Sequence, residues 1–309
     1  MKFDIEAKGV YSIAPTPFRD DGQIDLASID RLMDFYAGCG CAGVTALGLL
    51  GEAQKLEHAE GVAVAAQMVR RAPQLPIIVG ASAPGFAAMR ALTRDVMDKG
   101  AAGVMIAPPS TLRTDDQIVG YYTQAAEAIG LDVPFVLQDY PLSFSVQMSP
   151  KVIRRIIDEV PSCAMIKHED WPGLEKITLL KSFEKQGMRR IPILCGNNGL
   201  FLDYELERGA DGANTGYAFP DMLCELVRLM KSGEREPAHD LFDAHLPLLR
   251  YEQQPGVGLA VRKHVLHRRG LLETPAQRQP VVPLTTKARK EVDHLLRRLA
   301  RHDRRASFA

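Results

Sequence analysis

Gly103-Val-Met-Ile-Ala107 is a short apolar run opened by glycine, and the thirty residues beyond it decide how the chain folds. Ile118, Tyr121, Tyr122 and Ala125 come next, at the i, i+3, i+4, i+7 spacing of an amphipathic helix. Pro134–Gln138 then begins a second apolar run. A continuous apolar strand, unlike an alternating one, must be covered on both faces, which is the condition of a parallel sheet between helices. The same unit repeats outward in both directions. Val10–Ala14, Gly43–Leu47 and Pro76–Gly80 precede it, and Cys163–Lys167, Pro192–Cys195 and Gly212–Thr215 come after. From the second run to the seventh the spacing is about thirty residues, one strand-plus-helix unit. Ile29, Leu32, Met33 and Tyr36 supply another helix of the same period. Eight runs fit a closed (β/α)₈ TIM barrel better than a doubly wound sheet, and no Gly-x-Gly-x-x-Gly follows the first strand.

After Tyr217 the pattern is helical only: Met222–Met230, Pro237–Leu249, Val257–His267 and Thr286–Leu299. The first closes the barrel and the others form a C-terminal helical appendage. The chain therefore divides into a barrel with the catalytic site over 1–232 and a helical region packed on it over 233–309. Arg297, Arg298, Arg301, Arg304 and Arg305 read as a basic tail or, preferably, as a solvated helix face that frays into disorder at the terminus. His264 and His267, beside Arg262, Lys263, Arg268 and Arg269, read as a basic solvated or subunit-contact face.

Composition narrows the function. The 309 residues are 46% hydrophobic and 25% charged, an ordinary globular mix. Lys+Arg and Asp+Glu both number 38, so nothing in the charge favours nucleic acid or an anionic membrane. No run of roughly eighteen apolar residues exists to span a bilayer, and the N-terminal MKFDIEAKGVYSIAPTPF has no apolar leader core. A cytoplasmic protein is expected. Five cysteines fit reduced thiols, and Cys39-Gly40-Cys41 reads as buried small hydrophobes rather than a metal site. The eight histidines lack His-Glu-x-x-His spacing, so no metal is expected.

Barrel chemistry sits at the C-terminal ends of strands. The sixth run ends in Lys167, and a lysine there is costly to bury unless paired or used. A desolvated amine suits imine formation with a carbonyl; the plain alternative is a lysine that snorkels or pairs with Glu169. Position alone leaves both open. Glu169 shares the side of Lys167 if the strand continues, as a proton-transfer group or a counter-ion, while His168 faces away into packing. Gly48-Leu49-Leu50-Gly51-Glu52 after the second run can turn tightly and offer backbone N–H groups to a carboxylate. Gln138-Asp139-Tyr140-Pro141 ends the fifth run, as polar pocket residues or a turn. Gly196-Asn197-Asn198-Gly199 either binds hydroxyls or is a plain turn; Trp171 lines the pocket or packs, and Asp211 is structural.

These segments together resemble the dihydrodipicolinate synthase / N-acetylneuraminate lyase superfamily. The resemblance is carried by Ala14-Pro-Thr-Pro-Phe18 with Asp21-Gly22-x-Ile24-Asp25, by Gly48-x-x-Gly51-Glu52, by the strand ending at Lys167, and by Gly209-Ala-Asp-Gly212. It implies a TIM barrel, a homotetramer, and an imine between Lys167 and a 2-oxo acid, with no separate cofactor. Departures are informative. Gly48-Leu49-Leu50-Gly51-Glu52 replaces Gly-Thr-Thr-Gly-Glu, so only the Leu49 and Leu50 backbone can bind carboxylate. The family's catalytic tyrosine falls on Gln138, its tyrosine pair on Pro109 and Ser110, and the arginine for the aldehyde partner near Ser143. Dihydrodipicolinate synthesis itself is therefore disfavoured. Gln-Asp-x-Pro, Lys-x-Glu and Asn214-Thr215-Gly216-x-x-Phe219-Pro220 are closer to the branch with 2-keto-3-deoxy-arabonate dehydratase. The implied catalytic groups are Lys167 and Glu169, and the implied substrate-binding positions Gly48, Leu49, Leu50, Gln138, Tyr140 and Thr215. The reaction expected is dehydration of a 2-keto-3-deoxy sugar acid. Retro-aldol release of pyruvate and a non-catalytic keto-acid binder are the alternatives.

Overall fold

The computed structural model describes Phe3 and residues 6–308. Its strands are β1 Gly9–Ile13, β2 Gly43–Ala46, β3 Ile77–Gly80, β4 Gly103–Ile106, β5 Phe135–Asp139, β6 Cys163–His168, β7 Ile193–Cys195 and β8 Gly212–Thr215. Each pairs in parallel with the next and β8 pairs with β1, closing a barrel in chain order. Around and beyond it run α1 Leu26–Gly38, α2 His58–Arg71, α3 Phe86–Asp98, α4 Asp115–Ile129, α5 Pro141–Phe144, α6 Pro150–Glu159, α7 Leu174–Lys185 and α8 Leu202–Glu207. The C-terminal set is α9 Pro220–Lys231, α10 Arg235–Glu252, α11 Gly258–Arg268 and α12 Thr286–Leu299. Helix starts obey local chemistry. Asp25 accepts from Ser28 N–H at 3.1 Å to cap α1, and Thr114 with Gln117 forms a capping box on α4.

The strands read as continuously apolar because they bury two different cores. Tyr11, Ile78, Met105, Val136, Met165 and Leu194 point inward and fill the barrel with Phe3 and Ala7. Val10, Val44, Ile77, Val104, Leu137, Ile166 and Ile193 point outward against the helices. Each fully buried side chain of this kind stabilises by about 1.5–3 kcal/mol. Toward the C-terminal ends the inward positions change character: on β5 Val136 is followed by Gln138, and on β6 Met165 by Lys167. Gln138 and Lys167 are also register partners, so the polar pair lies side by side at the barrel mouth.

The C-terminal helices depart from the sequence reading in three respects. The basic terminus does not fray over its described residues, which run to 308. Asp303 and Ala306 are buried, and Asp303 Oδ2 lies 2.8 Å from His245 Nε2, whose other ring nitrogen is 2.9 Å from Tyr217 Oη. Arg297, Arg298, Arg301 and Arg304 do stay exposed. The second departure concerns α11: Arg262 and Lys263 are 2% and 0% exposed, not part of a solvated face. The third is that residues of the 233–309 region line the cavity that the sequence reading assigned to 1–232. The turn from α10 to α11 folds over the barrel mouth, so Glu252, Gln253, Pro255, Leu259 and Arg262 reach the same cavity as the strand ends. No helix among the described residues is long and apolar enough to cross a membrane.

Candidate active site

Lys167 and Glu169 are positioned by the two-residue period of a strand and its extension. Lys167 faces the barrel axis, His168 turns outward, and Glu169 returns to the same side. Lys167 Nζ lies 3.0 Å from Glu169 Oε2, with both side chains almost fully buried. Gln138 Nε2 donates to the same carboxylate oxygen at 2.7 Å. On the far side, Asn197 donates its backbone N–H to Glu169 Oε1 at 3.4 Å and its side-chain amide to Glu169 O at 2.8 Å. Gly196 allows this approach: a Cβ there would sit 2.3 Å from Glu169 Cγ. Asn197 and Asn198 both adopt left-handed φ, of 49° and 61°, a region asparagine tolerates better than most residues. The Asn-Asn segment is thus both a turn and a clamp on the acid.

His168 and Asp139 occupy the outward side. His168 Nε2 lies 3.1 Å from Gly173 O, and Asp139 Oδ2 accepts from Lys176 Nζ at 2.7 Å. Lys176 also bonds Asp170 Oδ2 at 2.9 Å. This network braces the ends of β5 and β6 from behind without entering the cavity.

The cavity encloses about 610 Å³, enough for a small organic acid. Lys167, Glu169, Gln138, Tyr140, Thr215, Leu49 and Leu50 all line it, as do Ser143, Trp171, Asn197 and Asn198. Gly48 does not. It lines an adjoining space of about 290 Å³ that shares Leu49 and Gln138 with the first. Leu49–Gly51 is a short 3₁₀ turn, so the Leu49 and Leu50 N–H groups are the leading donors that no carbonyl of the turn can accept. Burial, opposed by a Ser143 hydrogen bond and reinforced by the Glu169 charge, raises the pKa of the Tyr140 phenol. Its proton is therefore held, and the phenol is suited to donating a hydrogen bond.

Two further charged groups reach the cavity from the C-terminal helices. Arg262 Nε donates to Glu252 Oε1 at 2.6 Å, and Arg262 Nη2 donates to Asn198 Oδ1. Asn198 Nδ2 donates to the same Glu252 oxygen at 3.2 Å. Burial raises the Glu252 pKa, against the opposing pull of Arg262. Beneath the Leu49–Leu50 turn, Glu52 Oε1 accepts from Lys263 Nζ at 2.6 Å, and Glu52 Oε2 from Lys55 Nζ at 2.8 Å. Sequence reasoning misses Arg262 and Glu252 as residues of the site, and the Glu52–Lys263 ion pair that lies beneath it. One local signal for Arg262 exists: Leu259, Arg262 and Leu266 share one helical stripe, and a charge interrupting an apolar stripe needs a buried partner.

The thiols lie elsewhere. Cys41 Sγ is 3.9 Å from Cys224 Sγ. That contact, together with burial, holds the Cys41 thiol well above the usual range, and burial does the same for Cys39. They pack as small protonated side chains.

Comparison with known proteins places these observations in a wider set. The family model described as the dihydrodipicolinate synthetase family matches residues 6–299. Over 297 residues the chain is 28% identical to an L-2-keto-3-deoxyarabonate dehydratase of Azospirillum brasilense, covering 94% of each chain. It is 27% identical over 246 residues to a 4-hydroxy-tetrahydrodipicolinate synthase of Methanothrix thermoacetophila, covering 79% of this chain and 81% of that one. Among solved structures, one named as a dihydrodipicolinate synthase from Rhodopseudomonas palustris is 65% identical. It superposes with a TM-score of 0.95, covering 96% of this chain and 99% of that chain.

Proposed function

The chain belongs to the dihydrodipicolinate synthetase family, a family of lyase-type enzymes, and from that premise we propose that it dehydrates a 2-keto-3-deoxy sugar acid through an imine at Lys167. The observation that carries the reading is the buried Lys167 amine, 3.0 Å from Glu169 at the barrel mouth. Only a free amine attacks a carbonyl, and Glu169 is the group in reach to take the ammonium proton. Addition of Nζ to C2 and loss of water give an imine whose positive charge acidifies the C3 hydrogen. Glu169 removes that proton, giving an enamine. The enamine expels the C4 hydroxyl, which leaves as water on receiving a proton; hydrolysis of the conjugated imine then frees Lys167. Leu49 and Leu50 N–H groups hold the carboxylate, Gln138 keeps Glu169 oriented, and Tyr140 and Thr215 bind substrate oxygens.

A second reading is favoured by one observation, the synthase name carried by the 65% identical Rhodopseudomonas palustris protein. There the enamine of pyruvate would attack an aldehyde instead of expelling hydroxide. Against it, Gln138 falls at the family's tyrosine, and no arginine stands near Ser143, where one would hold the aldehyde partner. Retro-aldol cleavage uses the same imine and stays an outcome of the same test.

The test is reductive trapping. Incubation with pyruvate or a 2-keto-3-deoxy sugar acid, then borohydride, should place the mass increase on the peptide containing Lys167. Lys167→Ala should abolish both adduct and turnover, and Glu169→Gln should lower turnover by about 10²–10⁴-fold. No adduct at Lys167 across the panel sinks the imine reading; full turnover by Glu169→Gln sinks the role of Glu169. Product analysis separates water elimination, pyruvate release and condensation. The assembly proposed is a homotetramer in the cytoplasm, and analytical ultracentrifugation should give four chains.

A further inference from the structure

Arg262 is 2% exposed, sits on α11, and still faces the cavity that holds Lys167. Three features build it in. Glu252 accepts from Nε at 2.6 Å, Asn198 accepts from Nη2, and Gly216 leaves room for the guanidinium. A Cβ at Gly216 would lie 2.2 Å from Nη1, so any side chain there would push the group aside. Gly216 directly follows Thr215 at the end of β8, and Thr215 and Arg262 both line the cavity. Nη1 itself has no hydrogen-bond partner among the described residues. An N–H so deeply buried is costly to leave unpaired, and an acceptor atom on a ligand would satisfy it.

Charge decides what kind of acceptor. The ionisable pairs lining the cavity are Lys167 with Glu169 and Arg262 with Glu252, each in salt-bridge contact. The guanidinium is therefore already matched by Glu252, and the substrate's own carboxylate faces the imine nitrogen and the Leu49–Leu50 turn. Among the described residues lining the cavity, no unmatched cation is left for a second carboxylate. We propose that Arg262 Nη1 is the specificity contact for a terminal hydroxyl of the substrate, selecting a monocarboxylic 2-oxo acid with a hydroxylated distal carbon over its deoxy or dicarboxylic counterpart. This rests on the imine reading above.

Three compounds identical from C1 to C4 isolate the contact: 4,5-dihydroxy-2-oxopentanoate, 4-hydroxy-2-oxopentanoate and 4-hydroxy-2-oxopentanedioate. All keep the C4 hydroxyl that leaves. The intact protein should favour the dihydroxy acid over the other two by about 10–100-fold in kcat/KM, as expected for a hydrogen bond from a charged donor. Arg262→Lys keeps a cation against Glu252 but withdraws the Nη1 donor. It should bring the dihydroxy and monohydroxy acids to within about threefold, chiefly by raising KM for the dihydroxy acid. Gly216→Ala, which displaces the guanidinium while leaving both charges, should do the same, so a folding defect in one variant does not decide the result. A merely structural arginine would lower both substrates together and leave their ratio unchanged; that result overturns the proposal, as does a preference for the dicarboxylate. Pyruvate trapping at Lys167 in the unmodified protein separates the two levels. Failure of trapping removes the imine reading, whereas trapping with an unchanged selectivity ratio removes only the role of Arg262.

Discussion

Replacing Glu52 by glutamine should be among the most damaging near-isosteric changes in this protein, although Glu52 touches no substrate. The carboxylate is 1% exposed and held at a left-handed φ of 54° just after the Leu49–Gly51 turn. It accepts from Lys263 at 2.6 Å, Lys55 at 2.8 Å and the Arg278 N–H at 3.2 Å. Glutamine offers one neutral acceptor oxygen, and its NH₂ would face donors. Lys263 is fully buried, and burial already pulls its amine down to about 8 despite the opposing charge of Glu52. Leaving one member of a buried pair uncompensated costs about 3–5 kcal/mol. Lys263 keeps its bond to Ala276 O at 2.8 Å and lies 4.6 Å from the Phe18 ring centroid, which argues for the lower end, about 3 kcal/mol. Lys263→Met should cost less, about 1–2 kcal/mol, because Glu52 keeps Lys55 and Arg278 and methionine fills similar volume. The double variant should then be more stable than Glu52→Gln alone, since no buried ammonium is left unpaired. Equilibrium urea unfolding at pH 7 and fixed protomer concentration measures all four corners of the cycle. Glu52→Gln within about 0.5 kcal/mol of the parent, or Lys263→Met costing more than Glu52→Gln, would refute the reasoning, on the scale expected for surface changes.

Two further outcomes test the site and its surroundings. Gly196→Ala should reduce kcat by at least about 10-fold, the scale of a displaced catalytic contact, while the variant remains folded by circular dichroism. Its Cβ would fall 2.3 Å from Glu169 Cγ, forcing the carboxylate off Lys167 and Gln138; unchanged kcat would remove Glu169 from the reaction. Glu205 on α8 tests linkage. Burial pushes its carboxyl up to about 7, opposed by His168, and Glu205 Oε2 has no hydrogen-bond partner among the described residues. A carboxyl pKa raised on folding means that the native state holds more protons than the unfolded state between about 4.5 and 7. Stability from this group is therefore full below the unfolded value and lost as pH rises through about 7. Glu205→Gln should be no more stable than the parent near pH 4.5 and more stable by about 3 kcal/mol near pH 8, at about 1.4 kcal/mol per pKa unit. Urea midpoints of the two proteins measured across that range check it, and a pH-independent difference would contradict it.

What can be read along the chain is whatever depends on near neighbours. Strand ends fall within a residue of the apolar runs because a closed parallel barrel buries both faces of every strand, leaving the signal in each short segment. Lys167 and Glu169 are legible for the same reason: two residues apart on an extended strand, they share a side without any knowledge of the rest. The Leu-Leu substitution after Gly48 and the glutamine at 138 are visible as single letters, as is their consequence for the proton relay. The partners that tertiary structure supplies are of another kind. Glu52 and Lys263 are 211 residues apart, and no periodicity in either segment names the other. Glu252 and Arg262 are near in sequence, but they flank a turn, and only the docking of α10 and α11 over the barrel mouth aims both into the cavity. Sequence patterning reports which faces are apolar and how often they recur. Which buried charge meets which is settled by long-range packing, where a group taken from water must find its counter-charge among whatever the fold brings beside it.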